Sequence, residues 1–252
     1  MIQVIKIGGG VLENEAQRNA FLRQFAAIED PKVLVHGGGR LATTMAERLG
    51  VETQMIDGRR VTDKETLDIV TMVYGGLVNK QVVAQLQTMG VNAIGMTGAD
   101  GGWMKSVKRP IKNGIDYGYV GDVIEVDGAH LRKLLDSGLT PVIAPITYSA
   151  EGLLLNTNAD TVASQTAISL APNVQLTFCF EKAGVLSNPD DESSLIARIT
   201  TESYTQLKAD GIISGGMIPK IDNAFVAIEH GVQSVRITYA SNLHGGTVIE
   251  QA

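Results

Sequence analysis

Short runs rich in valine and isoleucine alternate along this chain with stretches of helical spacing, and this alternation constrains the fold more than any other feature. IQVIKI (2–7), KVLVH (32–36), VNAIGM (91–96), LTPVIAP (139–145), VQLTFCF (174–180) and VQSVRIT (232–238) are strand-like and bounded by Gly, Pro or Asp. Between them, Phe21, Phe25 and Ile28 form one helical stripe, and Leu67, Val70 and Tyr74 form another. Leu131, Leu134 and Leu135 mark a third, and Val162, Thr166 and Ser169 a weaker fourth. Such alternation predicts an α/β fold with a mostly parallel sheet and helices on both faces. Residues 103–127 break the rhythm with Gly-rich turns, which predicts a β-hairpin excursion placed to reach over a site. No internal repeat, linker or low-complexity tract divides the chain, so one compact unit with a cleft between two lobes is expected.

Composition narrows the function classes. The 252 residues suffice for one large α/β domain, and 44 % hydrophobic with 19 % charged residues is a globular balance. A net charge of −6 argues against a nucleic-acid partner, because binding by counterion release needs clustered Lys and Arg. No segment has the apolar length of a membrane helix. The single cysteine, Cys179, sits in the apolar run LTFCF and fits a reducing cytoplasm.

Two of the strand-like runs end in glycine triplets, VIKIGGGV at 4–11 and VLVHGGG at 33–39. Ligands bind at the carboxyl ends of strands in such sheets, and bare N–H groups at a helix start attract anions. Neither triplet matches a P-loop or dinucleotide fingerprint. Glycines that merely permit tight turns explain either triplet alone; two at equivalent positions favour anion binding. His36 reads as a strand-end residue with a satisfied imidazole.

Lys6 lies inside an apolar strand just before glycines, where a buried charge needs a partner or an anionic ligand. In GLLLNTNADTVA (152–163), a strand runs into Asn156 and Asn158 before Asp160 opens a helix. One asparagine suffices for a cap, and the second leaves an amide at the strand end. In SGGMIPKIDNAFVAIEHG (214–231), Lys220 falls near the positive end of a helix, an unfavourable position for a cation. There is no G-x-S-x-G, no Cys/His pair and no metal-ligand cluster. Lysines, glycine N–H groups and polar amides without a nucleophile suit phosphoryl transfer, which relies on positioning and positive charge.

KIGGG (6–10), HGGGR (36–40), GRRVT (58–62), VNK (78–80), GADGG (98–102), PVIAPI (141–146), NTNAD (156–160) and GGMIPK (215–220) together resemble the amino acid kinase family over nearly the whole chain. The resemblance implies a three-layer α/β/α sandwich, with an acceptor lobe at about 1–171 and a nucleotide lobe at about 172–252. It implies that Lys6 and Lys220 stabilise the transferring phosphoryl group, that Asp160 holds the two lysines, and that Gly9 offers its N–H to the phosphate. Gly38, Gly39, Arg60, Asn156 and Asn158 would bind the acceptor, Arg60 through its α-carboxylate. Lys182, Gly184, Val185, Leu186, Ile213, Ser214 and Gly216 would meet ATP. Magnesium would be held mainly by the phosphates, with no protein ligand set of its own. EKAGVL (181–186) departs from the family's Asp-Val-x-Gly pattern at Glu181 and Lys182, so the adenosine pocket is the less defined half.

Within the family, the combination of GRRVT, NTNAD and GGMIPK implies phosphorylation of the γ-carboxylate of N-acetyl-L-glutamate, early in arginine synthesis. The same chemistry on N-succinylglutamate or a carrier-bound aminoadipate stays open, as does a non-catalytic sensor of amino acids or nucleotides. Relatives that arginine inhibits carry a helix ahead of the first strand, whereas here the first strand begins at Ile2. The expectation is therefore a homodimer insensitive to arginine. Its contact would be 66–86, unless the apolar faces of that stretch are simply buried.

Overall fold

The computed structural model describes the chain except for Asp57, Glu181, Pro189, Gly215, Gly216, Ala252 and the side chain of Pro219. The strands of the first half are β1 (Ile2–Ile7), β2 (Lys32–His36), β3 (Met55–Ile56), β4 (Arg59–Arg60), β5 (Ala93–Met96), β6 (Met104–Lys108) and β7 (Gly121–Val126). Those that follow are β8 (Thr140–Ile143), β9 (Ile146–Tyr148), β10 (Leu154–Asn156), β11 (Val174–Phe180), β12 (Arg198–Ile199), β13 (Ser234–Tyr239) and β14 (Thr247–Ile249). The helices are α1 (Gly9–Glu13), α2 (Glu15–Ala26), α3 (Gly39–Arg48), α4 (Lys64–Val70), α5 (Asn79–Thr88), α6 (Gly128–Asp136), α7 (Ala159–Leu170), α8 (Thr201–Ala209) and α9 (Met217–Glu229).

All of the strand-like sequence runs enter one eight-stranded sheet, ordered β12-β14-β13-β11-β1-β2-β8-β5. Every pairing in it is parallel except β13 against β14. Alternation along β1 sends Ile5 and Ile7 into a core under α2, α3, α4 and α5, and Val4 into a second core under α6, α7 and α9. Those two cores make the α/β/α sandwich. Lys6 shares the face of Val4, so its ammonium is directed toward α7.

Some boundaries differ from the sequence expectation. VNAIGM joins the sheet only at Ala93, and LTPVIAP leaves it after Ile143. Pro145 has no N–H to continue a ladder, and the chain passes into β9 of a second, four-stranded sheet ordered β10-β9-β6-β7. The excursion at 103–127 supplies β6 and β7, an antiparallel pair whose long connection returns over Thr62. There Thr62 N–H donates to Tyr117 O at 2.9 Å, and Tyr119 N–H donates to Thr62 O at 2.6 Å.

Between α4 and α5 the helix continues through Thr71–Val78 with π-type winding. The local sequence, TMVYGGLV, contains two glycines that favour helix poorly, and π segments of this kind recur beside functional sites.

Candidate active site

The strand order diverges at β1 and β11: β1 leads outward to β2 on one side, while β11 leads to β13 on the other. Crevices at such switch points are where α/β sheets bind ligands. Both glycine triplets lie here, and they pack on each other. A Cβ on Gly9 would come within 3.0 Å of Gly38 N, and one on Gly38 within 2.9 Å of the Tyr74 ring. The glycines therefore let two loops and an aromatic ring approach as closely as backbone allows. This packing requirement holds whether or not an anion is bound.

Lys6 is only 8 % exposed, and its Nζ lies 2.8 Å from Asp160 Oδ1. Asp160 stands in the first turn of α7, whose N-cap is Asn158; the Asn158 side chain accepts from Asp160 N–H at 2.8 Å and Thr161 N–H at 3.1 Å. The cap fixes the start of the helix and so the place of the carboxylate. Lys220, in the first turn of α9, puts its Nζ 3.8 Å from the centroid of the Phe180 ring, and Lys6 Nζ lies 5.6 Å from the same centroid. Two ammonium groups thus converge on one aromatic ring, with one carboxylate beside them. Burial lowers the Lys220 pKa below 10.5; Asp160 pulls it back up, and Lys6 pushes it further down.

Three cavities meet around this group. One of about 200 Å³ is lined by Gly37, Gly38, Gly39, Arg60, Tyr74, Asn156 and Asn158, among others. Arg60 is 8 % exposed. Its Nη2 donates to Gly39 O at 2.8 Å and Thr43 Oγ1 at 2.7 Å, while Nη1 is buried without a hydrogen-bond partner. A charged donor left open in a cavity is costly unless an anion fills it. Asn156 Nδ2 donates to Thr62 Oγ1 at 3.0 Å, and Thr62 Oγ1 donates to Arg60 O at 3.0 Å, so one buried threonine ties the amide to the arginine strand. A second cavity, of about 310 Å³, lies between α7 and α9 and includes Asp160 and Lys220. The third, of about 450 Å³, is lined by Gly8, Gly9, Gly10, Lys182, Gly184 and Lys220, with Cys179 and Phe180 in its wall.

The residues expected to meet ATP are placed unequally. Lys182 and Gly184 line the third cavity. Val185, Leu186 and Ile213 are buried, and Ser214 is exposed. Gly216, like Glu181 of the departing motif, lies outside the described residues.

His36 is fully buried: it shares a 2.8 Å hydrogen bond between Nδ1 and Gly37 O, and Asn79 Nδ2 lies 3.1 Å from its Nε2. Burial pulls its pKa down to about 4, so it is a neutral structural imidazole, as its sequence position suggests. Burial also pushes the Cys179 thiol up to about 12, which leaves no thiolate at neutral pH. Sequence reasoning overlooked Tyr74, Thr62 and Phe180 as site-building residues. Tyr74 was visible only as one member of a helical stripe.

The sequence pattern of the amino acid kinase family matches residues 1–239. The chain is 53 % identical over 254 residues to an acetylglutamate kinase of Phocaeicola vulgatus, covering 99 % of this chain and 98 % of that one. It is 54 % identical over 242 residues to an acetylglutamate kinase of Bacteroides thetaiotaomicron, covering 95 % and 94 %. A crystal structure of a Streptococcus mutans protein superimposes with a TM-score of 0.80 at 30 % identity, covering 99 % of this chain and 98 % of that one. The chain belongs to the amino acid kinase family.

The site predicts an unusual lysine. With neither substrate bound, NMR titration of Lys220 Nζ should give a midpoint below 10.5, and Asp160→Asn should lower it further. The proton is lost from the folded chain before the unfolded one, so this group makes stability rise with pH across the window between its lowered pKa and 10.5. A midpoint at or above 10.5 would contradict the geometry.

Proposed function

We infer that this chain is a kinase that transfers the γ-phosphoryl group of ATP to the γ-carboxylate of N-acetyl-L-glutamate, a step of arginine synthesis. The observation that carries this is the convergence of Lys6 and Lys220 on Phe180, next to a cavity with an open Arg60 donor. Near-full-length likeness to kinases of that name supports the same reaction.

The chemistry asks for charge more than for proton transfer. A glutamate-type carboxylate, which ordinarily titrates at about 4.3, is already ionised at neutral pH. One of its oxygens bonds to the γ-phosphorus while the bond from phosphorus to the bridging β,γ-oxygen breaks. The products are an acyl phosphate and ADP, and no proton need be removed. The obstacle is repulsion between two anions. Lys6 and Lys220 offset it at the reacting phosphoryl group, Gly9 N–H adds a donor, and Asp160 holds the lysines apart and oriented. Arg60 Nη1 takes the acceptor's α-carboxylate, and Asn156 with Asn158 its amide. The Asn158 oxygen is committed to the helix cap, which leaves its NH₂ for the ligand.

The first cavity draws its described lining from residues before 171, and the third reaches across to Lys182, Gly184 and Lys220. This division supports an acceptor lobe at about 1–171 and a nucleotide lobe at about 172–252. Magnesium enters with ATP. Asp160 is the one carboxylate among the described residues lining the three cavities, and it already faces Lys6, so the phosphates carry most of the metal's coordination. No helix among the described residues is long and apolar enough to cross a membrane. A cytoplasmic location accords with the free, buried Cys179.

In a coupled ADP-release assay, Lys6→Ala and Lys220→Ala should lower kcat roughly 100- to 1000-fold with little change in KM. Arg60→Ala should raise the acceptor KM roughly 10- to 100-fold. Absence of turnover with every N-acylated glutamate would reject the assignment.

We also propose a homodimer joined through Thr71–Val78. Most apolar residues of this stretch are buried, yet Met72 is 55 % and Leu77 39 % exposed. Residues five apart share a face where the helix has π winding. Light scattering should give twice the chain mass, and Met72→Glu with Leu77→Glu should give a monomer. A monomeric parent chain would contradict this.

A further inference from the structure

A chain of hydrogen bonds runs behind the second glycine triplet, and no step of the transfer uses it directly. Its members are Lys80 and Asn79, at the start of α5, and His36, at the end of β2. Lys80 Nζ donates to Asn79 Oδ1 at 3.1 Å and to Gly95 O at 3.0 Å. Asn79 Nδ2 donates to Val142 O at 2.9 Å and stands 3.1 Å from His36 Nε2. His36 Nδ1 in turn stands 2.8 Å from Gly37 O. Asn79 and His36 are both fully buried. The fit is tight, since a Cβ on Gly95 would fall 1.9 Å from Asn79 Oδ1.

The partners at the two ends fix the protons between them. An ammonium only donates and a backbone carbonyl only accepts, so Asn79 turns its oxygen to Lys80 and its NH₂ to Val142. The second amide hydrogen then points at His36 Nε2, which has to be the bare, accepting nitrogen. The ring proton sits on Nδ1 and is donated to Gly37 O.

That last bond settles a choice the glycines leave open. The Gly37–Gly38 peptide lies between two residues without side chains, so neither residue favours one orientation of its plane. In a trans peptide the carbonyl and the N–H point in opposite directions. With Gly37 O held back on the imidazole, the Gly38 N–H faces away from the ring. Gly37 N–H is taken by Ile7 O at 3.1 Å, whereas Gly38 N–H has no backbone acceptor among the described residues. Gly38 lines the first cavity, and its nitrogen packs against Gly9, which lines the third. A turned peptide would put a carbonyl oxygen at this seam, against two anionic substrates.

We propose that His36 and Asn79 are positioning residues for phosphoryl transfer, holding the Gly37–Gly38 peptide with its N–H toward the reacting anions. This role rests on the kinase assignment above and extends it to the layer behind the first cavity. Neither side chain touches a substrate; both act through Gly38.

NMR of the imidazole nitrogens, with kinetics on ATP and N-acetyl-L-glutamate, tests this. At neutral pH the parent His36 should carry its proton on Nδ1, with Nε2 bare. His36→Phe keeps a ring but no donor. It should lower kcat about 10- to 100-fold while the KM for ATP stays within about threefold. Asn79→Asp keeps an acceptor for Lys80 but has no N–H for Nε2, and should lower kcat about 5- to 50-fold. Because the two residues act in series, the double variant should be no slower than His36→Phe alone. A parent proton on Nε2 would overturn the proposal, as would a folded His36→Phe with unchanged kcat or losses that multiply in the double variant. Should His36→Phe fail to fold, the tautomer and Asn79→Asp decide in its place. A parent chain inactive on every N-acylated glutamate would reject the kinase assignment, and this proposal with it.

Discussion

The ion pair between Lys6 and Asp160 is the contact on which the site depends. It joins the central strand of the sheet to the first turn of α7, and it places a charge on each side of the crevice where β1 and β11 diverge. An ammonium at 8 % exposure would be costly alone; here Asp160 and the Phe180 ring are its partners. Lys220 approaches the same ring from α9 and feels the repulsion of Lys6. An arrangement with two cations and one carboxylate carries a surplus of positive charge. That surplus suits a reaction in which both partners are anions.

The glycine loops answer to two demands at once. Their close mutual packing, with Tyr74 under Gly38, sets the floor of the first cavity. Gly37 N–H donates to Ile7 O at 3.1 Å, which ties the second triplet to the end of β1. The π-wound segment is coupled to the same floor, because Tyr74 reaches Gly38 from within it. Thr62 performs a similar service on the opposite wall by linking Arg60 to Asn156 and to the returning excursion at 103–127. The first cavity is thus built from segments far apart in sequence, each tied by one or two short contacts.

Much of this was legible in the sequence, for identifiable reasons. β1, β2 and β11 are largely buried on both faces and read as mostly apolar runs, in which Lys6 stands out just ahead of glycines. The cap at Asn158 and the helix start near Lys220 follow from local rules. Other features are invisible to local pattern. β12 and β14 have two and three residues, too few for a periodicity; β14 forms on the edge that β13 offers, and β12 on the edge of β14. The π winding of Thr71–Val78 leaves the apolar stripe nearly unchanged. Arg59 and Arg60 are identical neighbours in sequence, and only the packing shows that one is anchored by Gly39 and Thr43 while the other is not.

Paired lysines held by one carboxylate should stabilise the phosphoryl group in flight between two anions, without a general base. A crystal structure with ADP, magnesium, aluminium fluoride and an N-acylated glutamate tests this most directly. Fluoride ligands should lie within hydrogen-bond reach, about 3 Å, of both Lys6 Nζ and Lys220 Nζ, with Asp160 still beside Lys6. Fluoride beyond reach of either lysine, or a side-chain base in contact with the attacking carboxylate oxygen, would contradict it.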